Sequence, residues 1–207
     1  LPNSRKSGPV TMKNFASRLM LTLLFTPSVF AASSIELAVR GTITPSACTP
    51  AFAGGNVVDH GKISAKDLVQ GNTTYLPTAT VQLSITCEAS TLFAIKPIDN
   101  RSGTATSPRD FGLGLINGDK KLGRFHLTPK DMTADGVAVQ PIASEDGGRT
   151  WFAEHIWELG VLWGAGAMDD ASALLPSRVL VLGLDVNTSI ARADQFDLSD
   201  EVSIDGS

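Results

Sequence analysis

The sequence of 207 residues has little cysteine and little charge of either sign. Its two cysteines are too few for a four-cysteine zinc site or a cysteine-rich miniprotein, and they can form one disulfide at most. The sequence has 17 Lys and Arg residues and 21 Asp and Glu residues. The resulting net charge of -4 argues against electrostatic binding of nucleic acid. With 43% hydrophobic and 18% charged residues, the chain is typical of a globular protein that buries a core.

No apolar run reaches the roughly 20 residues that a membrane-spanning helix requires. The apolar run at residues 19–25 follows Lys13 and Arg18, and small residues ending at Ala31 come after it. This order of basic, apolar and small residues is typical of a secretory signal peptide. We predict that residues 12–31 form such a peptide and that cleavage follows Ala31.

Export changes what is expected of Cys48 and Cys87. An oxidising compartment favours a disulfide, whereas the cytosol keeps thiols reduced. We therefore predict that the two cysteines are bonded, with a stabilisation of about 3 to 4 kcal/mol from the constrained unfolded chain. Two buried free thiols are the alternative.

From residue 32 onward, short segments of alternating apolar and polar residues dominate the sequence. Gly, Pro, Asn, Asp and Ser separate these segments, and a period of two with such breaks is typical of β-strands. Strands are predicted at residues 35–43, 79–87, 92–98, 112–116, 123–127, 137–142, 151–155, 159–163 and 178–186. A turn is predicted at residues 146–148, and a short helix around residues 169–175 that ends at Pro176.

Many short strands without an internal repeat or a linker predict an all-β fold, an antiparallel β-sandwich. The predicted domain organisation is a single domain at residues 32–207. Residues 1–11 precede Met12 and carry no apolar pattern, so we interpret them as an upstream extension ahead of the true start.

Two stretches beside the first cysteine carry a further signal. Residues 40–48 read Arg-Gly-Thr-Ile-Thr-Pro-Ser-Ala-Cys, residues 57–63 read Val-Val-Asp-His-Gly-Lys-Ile, and Cys87 closes the strand segment at residues 81–85. With the signal peptide, this order resembles the amino-terminal half of pilins and fimbria-like proteins assembled by the chaperone–usher route. In that family a Gly-x-Val/Ile strand, a cysteine and a valine-rich strand ending near Gly follow one another. More narrowly, the chain resembles secreted, fimbria-associated bacterial proteins of uncharacterised function.

The resemblance implies an immunoglobulin-like sandwich of the pilin type that is incomplete without a donated strand. The implied partners are a periplasmic chaperone, an outer-membrane usher and neighbouring fimbrial subunits. The implied route is export through the periplasm to a fimbrium or the cell surface, with the protein as a structural or minor subunit. The segment ahead of Gly41 is shorter than the donor extension of self-polymerising pilins. Residues 204–207 lack the family's penultimate aromatic residue, so a terminal strand is expected to be missing.

Ile35, Leu37 and Val39 have the alternate spacing that a donated strand needs to fill pockets in a neighbouring groove. The same pattern suits the first strand of the subunit itself, because burial of one strand face also requires alternation. The sequence leaves these two interpretations open.

Catalytic motifs are scarce. The histidines His60, His126 and His155 are scattered, and no Gly-x-Ser-x-Gly nucleophile motif occurs. The glycine-rich residues 112–118 lack the lysine and hydroxyl of a P-loop. We predict neither an enzyme nor a cofactor or metal site. A secreted enzyme or a free-standing periplasmic binding protein remains an alternative.

Trp151, Trp157 and Trp163 have the same parity and would share a face in one unbroken strand. Such a face could stack on the sugar rings of a host glycan, as an adhesive tip or accessory subunit would require. Gly160 and Glu158 interrupt the run, so packing in the core or at a sheet edge is the interpretation we favour.

Overall fold

The computed structural model describes residues 47–207, and within them almost all regular structure is β-strand. The strands are β1 (Cys48–Ala53), β2 (Thr74–Tyr75), β3 (Ala79–Thr91), β4 (Phe111–Gly112), β5 (Leu115–Ile116), β6 (Lys120–Lys121), β7 (Gly123–Ala134), β8 (Val137–Ser144), β9 (Phe152–Ala153), β10 (Leu162–Ala167) and β11 (Ser177–Ile190). Two 3₁₀ turns occur, at Ala65–Asp67 and Ala193–Gln195. The predicted signal peptide and the predicted strand at residues 35–43 lie outside the described residues.

Nine of the strands form two antiparallel layers, and β5 and β6 form a separate two-stranded sheet. The larger layer has the order β1-β3-β11-β7, with β2 beside β11 and β4 beside β7. The smaller layer consists of β8 between β9 and β10. A tight turn at Asp135 and Gly136, both with positive φ, connects β7 to β8, and only the residues next to the turn pair across it. Beyond this hairpin the two strands separate into different layers, and the predicted all-β sandwich is confirmed.

Alternate side chains of the two central strands face the core. Leu83 pairs with Leu182 and Ile85 with Leu180, and all four side chains are buried. The polar residues between them on β3 point to the opposite face, as the alternation predicted. Full burial of each such aliphatic side chain stabilises the fold by about 1.5 to 3 kcal/mol, which makes this strand pair the centre of the core.

Polar side chains on the outer face of the larger layer form hydrogen bonds and an ion pair with one another. Lys130 Nζ lies 2.6 Å from Asp185 Oδ1 and 3.1 Å from the Thr80 hydroxyl. These hydrogen bonds, with the Lys130 bond the largest cause, lower the pKa of Asp185 below its usual value. The neighbouring strands β3, β11 and β7 are thereby cross-linked on the side away from the core.

Several predicted strands are shorter or shifted. Residues 92–98 form no strand and make only an isolated bridge from Ile95 to Trp163. The predicted strand at 112–116 is split into β4 and β5, because Gly114 adopts a φ of 85°. β10 begins three residues after residue 159, beyond Gly160, whose φ is also 85°. The strand predicted at 151–155 is reduced to the two residues of β9.

The valine-rich segment at residues 57–63 is not a strand in the structure, contrary to the pattern of the pilin family. The side chain of Asp59 accepts the backbone N–H of Gly61 at 2.7 Å, and Gly61 has a φ of 64°. This local turn bends the chain out of the extended conformation that pairing requires.

The prediction of a helix at residues 169–175 is also wrong, because these residues form turns and irregular structure. Asp170 Oδ1 accepts the backbone N–H and the hydroxyl of Ser172, which fixes a turn in place of a helical cap. Leu175 N–H then donates to the carbonyl oxygen of Ala165. The segment lies against β10, and this tertiary pairing outweighs the helical signal that preceded Pro176.

Candidate functional site

The disulfide between Cys48 and Cys87 is formed, as predicted. The two residues are direct partners in the β1–β3 register, with 4.0 Å between their Cα atoms. Cys48 begins β1, and Cys87 lies inside β3, which extends beyond the end of the strand predicted at residues 79–87. The bond ties the edge strand β1, whose remaining residues are exposed, to a central strand.

A groove of about 600 Å³ lies over the core-facing side of the larger layer. Its floor carries the side chains of Val81 from β3, Leu184 and Val186 from β11, and Leu127 and Phe125 from β7. On β3 and β11 these positions have the same parity as the buried residues farther along the strand, so the floor there continues the core face. It is a part of the sandwich core that the smaller layer does not cover.

Three apolar side chains stand at the mouth of the groove. Val57 is 78%, Ile98 71% and Phe52 45% exposed. Phe52 pairs with Leu83, so it lies on the core-facing side of β1 and forms a wall of the groove. An apolar cluster that borders an open apolar floor is typical of a surface that binds another chain.

The resemblance implied a groove, but sequence reasoning did not identify the apolar side chains at its mouth, although part of their signal was present. Phe52 lies four residues after Cys48, and this even spacing places both side chains on one face of β1. Ile98 was assigned to a strand that does not exist, so its position at the mouth could not be inferred.

Two polar contacts involve residues that line the groove. His60 Nε2 lies 3.0 Å from the Thr188 hydroxyl, and Arg101 forms an ion pair with Asp205. Residues 204–207 line the groove as an irregular segment. The N–H of Asp205 donates to Leu113 at 3.4 Å, while Asn100 N–H donates to the Ser207 carbonyl at 2.8 Å. The groove therefore already accepts a segment of backbone through main-chain hydrogen bonds.

An aromatic series runs from the core to the groove. Trp157 stacks on Trp163 with ring centroids 4.7 Å apart, Phe111 meets Trp163 edge-on at 6.2 Å, and Phe125 stacks on Phe111 at 4.8 Å. Each contact of this kind adds about 0.5 to 1.5 kcal/mol beyond the buried area. The inner end of the groove therefore rests on rigid, closely packed rings.

The three tryptophans do not form an exposed platform. Trp157 is 0% and Trp163 4% exposed. Trp163 Nε1 donates to the Glu158 carbonyl at 2.9 Å, and Trp151 Nε1 donates to the Gly148 carbonyl at 3.2 Å. Trp151 is half-buried, and a sugar ring cannot stack on the covered indoles of Trp157 and Trp163, so the three do not form one exposed face.

The predicted turn at residues 146–148 lies in a hydrogen-bonded loop of the smaller layer. The Asp146 carboxylate accepts bonds from the Thr150 hydroxyl, the Thr150 and Arg149 amides and the Ser144 hydroxyl. The Thr150 hydroxyl is the largest cause of a lowered Asp146 pKa. These contacts hold the loop that ends at Trp151, away from the groove.

The part of the chain that the structure describes brings no three His, Cys, Asp or Glu side chains together as metal ligands. In the same residues no helix is long and apolar enough to cross a membrane.

Residues 37–125 match a protein family described as a protein of unknown function (DUF1120). The chain is 32% identical over 101 residues to the uncharacterized protein YhcF of Escherichia coli K12, a match of 49% of this chain and 42% of that protein. It is 38% identical over 86 residues to protein GltF of the same organism, covering 38% of this chain and 33% of that protein. The chain thus spans less than half the length of these curated relatives, and no solved structure matches it significantly.

The family match has a clear position in the structure. It includes both cysteines and extends from before β1 into the first residues of β7. Phe52, Val81 and Ile98 of the groove lie within it. The chain is therefore similar to this family across the disulfide and much of the groove.

Proposed function

We propose that the protein is a structural or minor subunit of a chaperone–usher surface fimbria and that its groove receives a strand from a partner. The observation that carries this proposal is the apolar groove of about 600 Å³ over the core-facing side of the larger layer. Its occupant in the assembled fibre would be a neighbouring subunit, and before assembly a periplasmic chaperone.

Strand addition suits the construction of this groove. Main-chain hydrogen bonds supply sequence-independent affinity, while pockets for alternate side chains supply specificity. Val81, Leu184 and Leu127 come from three strands and offer apolar contacts along the floor. Leu184 is already buried, so an incoming strand with apolar residues at every second position would chiefly cover the half-buried Val81 and Leu127.

The segment that this chain would donate contains Ile35, Leu37 and Val39, which lie outside the described residues. Their alternation matches what such a floor requires. The competing assignment, in which they begin the subunit's own first strand, predicts a different result for the same substitution and is therefore testable.

The first test uses Leu37→Asp in the exported chain. Strand donation predicts a folded, chaperone-bound subunit that no longer enters fibres, because a charged side chain would have to be buried in the neighbouring groove. Loss of folding, measured by circular dichroism, would instead assign the segment to the subunit's own sheet. Normal folding together with normal assembly would contradict both assignments.

The second test changes the receiving surface. Val57→Asp places a charge at the mouth of the groove, and Val137→Asp is the matched control because Val137 is 66% exposed and lies outside the groove. Both variants are expected to fold, since exposed substitutions usually change stability by less than about 0.5 kcal/mol. Only Val57→Asp should lose assembly. Equal assembly by the two variants would remove the groove from the proposal.

A further inference from the structure

Residues 204–207 already occupy part of the groove. Two main-chain hydrogen bonds hold this segment, one from Asp205 N–H to the Leu113 carbonyl and one from Asn100 N–H to the Ser207 carbonyl. The Asp205 carboxylate also meets the Arg101 guanidinium. A strand that enters the groove must compete for the same space.

The surface that receives this segment is built by other contacts. Asp99 accepts the N–H of Arg101 through Oδ1 and the N–H of Gly112 through Oδ2. The Thr104 hydroxyl donates to the Arg101 carbonyl at 2.7 Å and accepts the N–H of Gly114 at 3.1 Å. The loop that presents Asn100 and Arg101 is thereby fixed against β4.

The segment fits closely at Gly206. A Cβ atom built there would lie 2.9 Å from both Leu113 Cδ2 and Phe125 Cε1, closer than side-chain carbons approach in folded proteins. Phe125 belongs to the groove floor. The backbone of Gly206 therefore covers an apolar surface that an incoming strand would use.

The attachment is weak enough to be reversed. The side chains of Arg101 and Asp205 are 42% and 55% exposed, so water and salt screen their attraction. Asp205, Gly206 and Ser207 are all exposed residues. Few buried contacts hold this segment, in contrast to the strands beneath it.

We propose that residues 204–207 form an intramolecular plug, latched by the Arg101–Asp205 ion pair, that an incoming strand displaces from the groove. This inference rests on the proposed strand-binding function. The plug would lower the apparent affinity of the groove by the fraction of molecules in which it is seated. It would also cover apolar surface until a partner arrives.

The test measures binding of a labelled synthetic peptide of residues 32–45 to the intact protein and to charge variants of the latch. Arg101→Asp and Asp205→Arg should each release the plug and tighten peptide binding by about two- to fivefold, the range expected for a half-exposed ion pair. The double variant Arg101→Asp with Asp205→Arg should restore the native affinity. Arg149→Glu, outside the groove, is the control for a change in net charge and should bind like the native protein.

The two single variants change the charge of the groove in opposite directions. A direct electrostatic effect on the peptide would therefore strengthen binding in one variant and weaken it in the other, which would overturn the plug. Hydrogen exchange at the Asp205 amide gives a second readout, and it should accelerate in both single variants and slow again in the swap.

The outcomes separate the plug from the function on which it rests. Native peptide binding with equal affinity in all variants would overturn the plug and leave strand binding intact. Absence of peptide binding to every variant would overturn the strand-binding function itself, and with it the competition that the plug requires.

Discussion

The two ends of the larger layer are formed by the same strands, but the smaller layer covers only one of them. At one end Leu180 and Leu182 are 1% and 0% exposed and share a cluster with Trp163 of the smaller layer. At the other end Val186 and Val81 continue the same face into the groove. The same apolar face is therefore covered by the smaller layer at one end and borders the groove at the other.

Removal of the disulfide is expected to have the largest effect on this comparison. The bond holds β1, the edge strand that borders the groove. Replacing Cys48 and Cys87 by Ser should lower the free energy of unfolding by about 4 kcal/mol, since the unfolded chain gains the entropy that the crosslink removed. Urea denaturation of both proteins measures the loss.

Thiol alkylation of the denatured native protein controls the interpretation, and it should find no reactive cysteine. A double Ser variant as stable as the native protein would show that β1 is held by its strand pairing alone.

Truncation of matched leucines compares the two ends directly. Leu182→Ala at the covered end should cost about 3 kcal/mol, because it leaves a cavity between two packed layers. Leu127→Ala in the groove floor should cost about 1 kcal/mol, because its side chain is only half-buried and solvent can fill the space. Guanidinium denaturation of both variants measures the two decreases in the free energy of unfolding. Equal decreases would mean that the groove floor is packed as tightly as the core.

A smaller effect concerns the Asp146 loop at the covered end. The pKa of the Asp146 carboxyl group is lowered in the folded protein, chiefly by the hydrogen bond from the Thr150 hydroxyl. The stabilisation is therefore present above the unfolded pKa of about 3.9 and is lost as the pH falls toward the folded value. Thr150→Ala should raise the Asp146 pKa toward its usual value, as an NMR titration of the carboxyl resonance would show.

Thr150→Val is the matched control, because it keeps the branched shape of the side chain and also lacks the hydroxyl. It should raise the pKa to a similar extent. A native-like pKa in both variants would assign the effect to the backbone amides of the loop.

Much of the strand framework followed from local pattern. The segments at 79–87, 123–127, 137–142 and 178–186 all lie within strands of the structure. Alternation is clearest in β3, where Leu83, Ile85 and Cys87 are buried and the residues between them are not. Some predictions failed where a carboxylate accepts a backbone N–H two residues on, as at Asp59 and Asp170, and others where a glycine has positive φ, as at Gly114 and Gly160. A single local hydrogen bond decides such turns, and alternation carries no information about it.

The amino-acid sequence by itself determined the all-β class, the pairing of Cys48 with Cys87 and the inward face of β3. A period of two fixes which side chains share a face, and two cysteines in an oxidised chain have one partner each. Only the tertiary structure decided which part of that face is covered. The hairpin between β7 and β8 sends the second layer over Leu182 and not over Val186, and residues 204–207 enter the space that remains. These relations join residues far apart in the chain, and no local pattern of polarity encodes the distance between two layers.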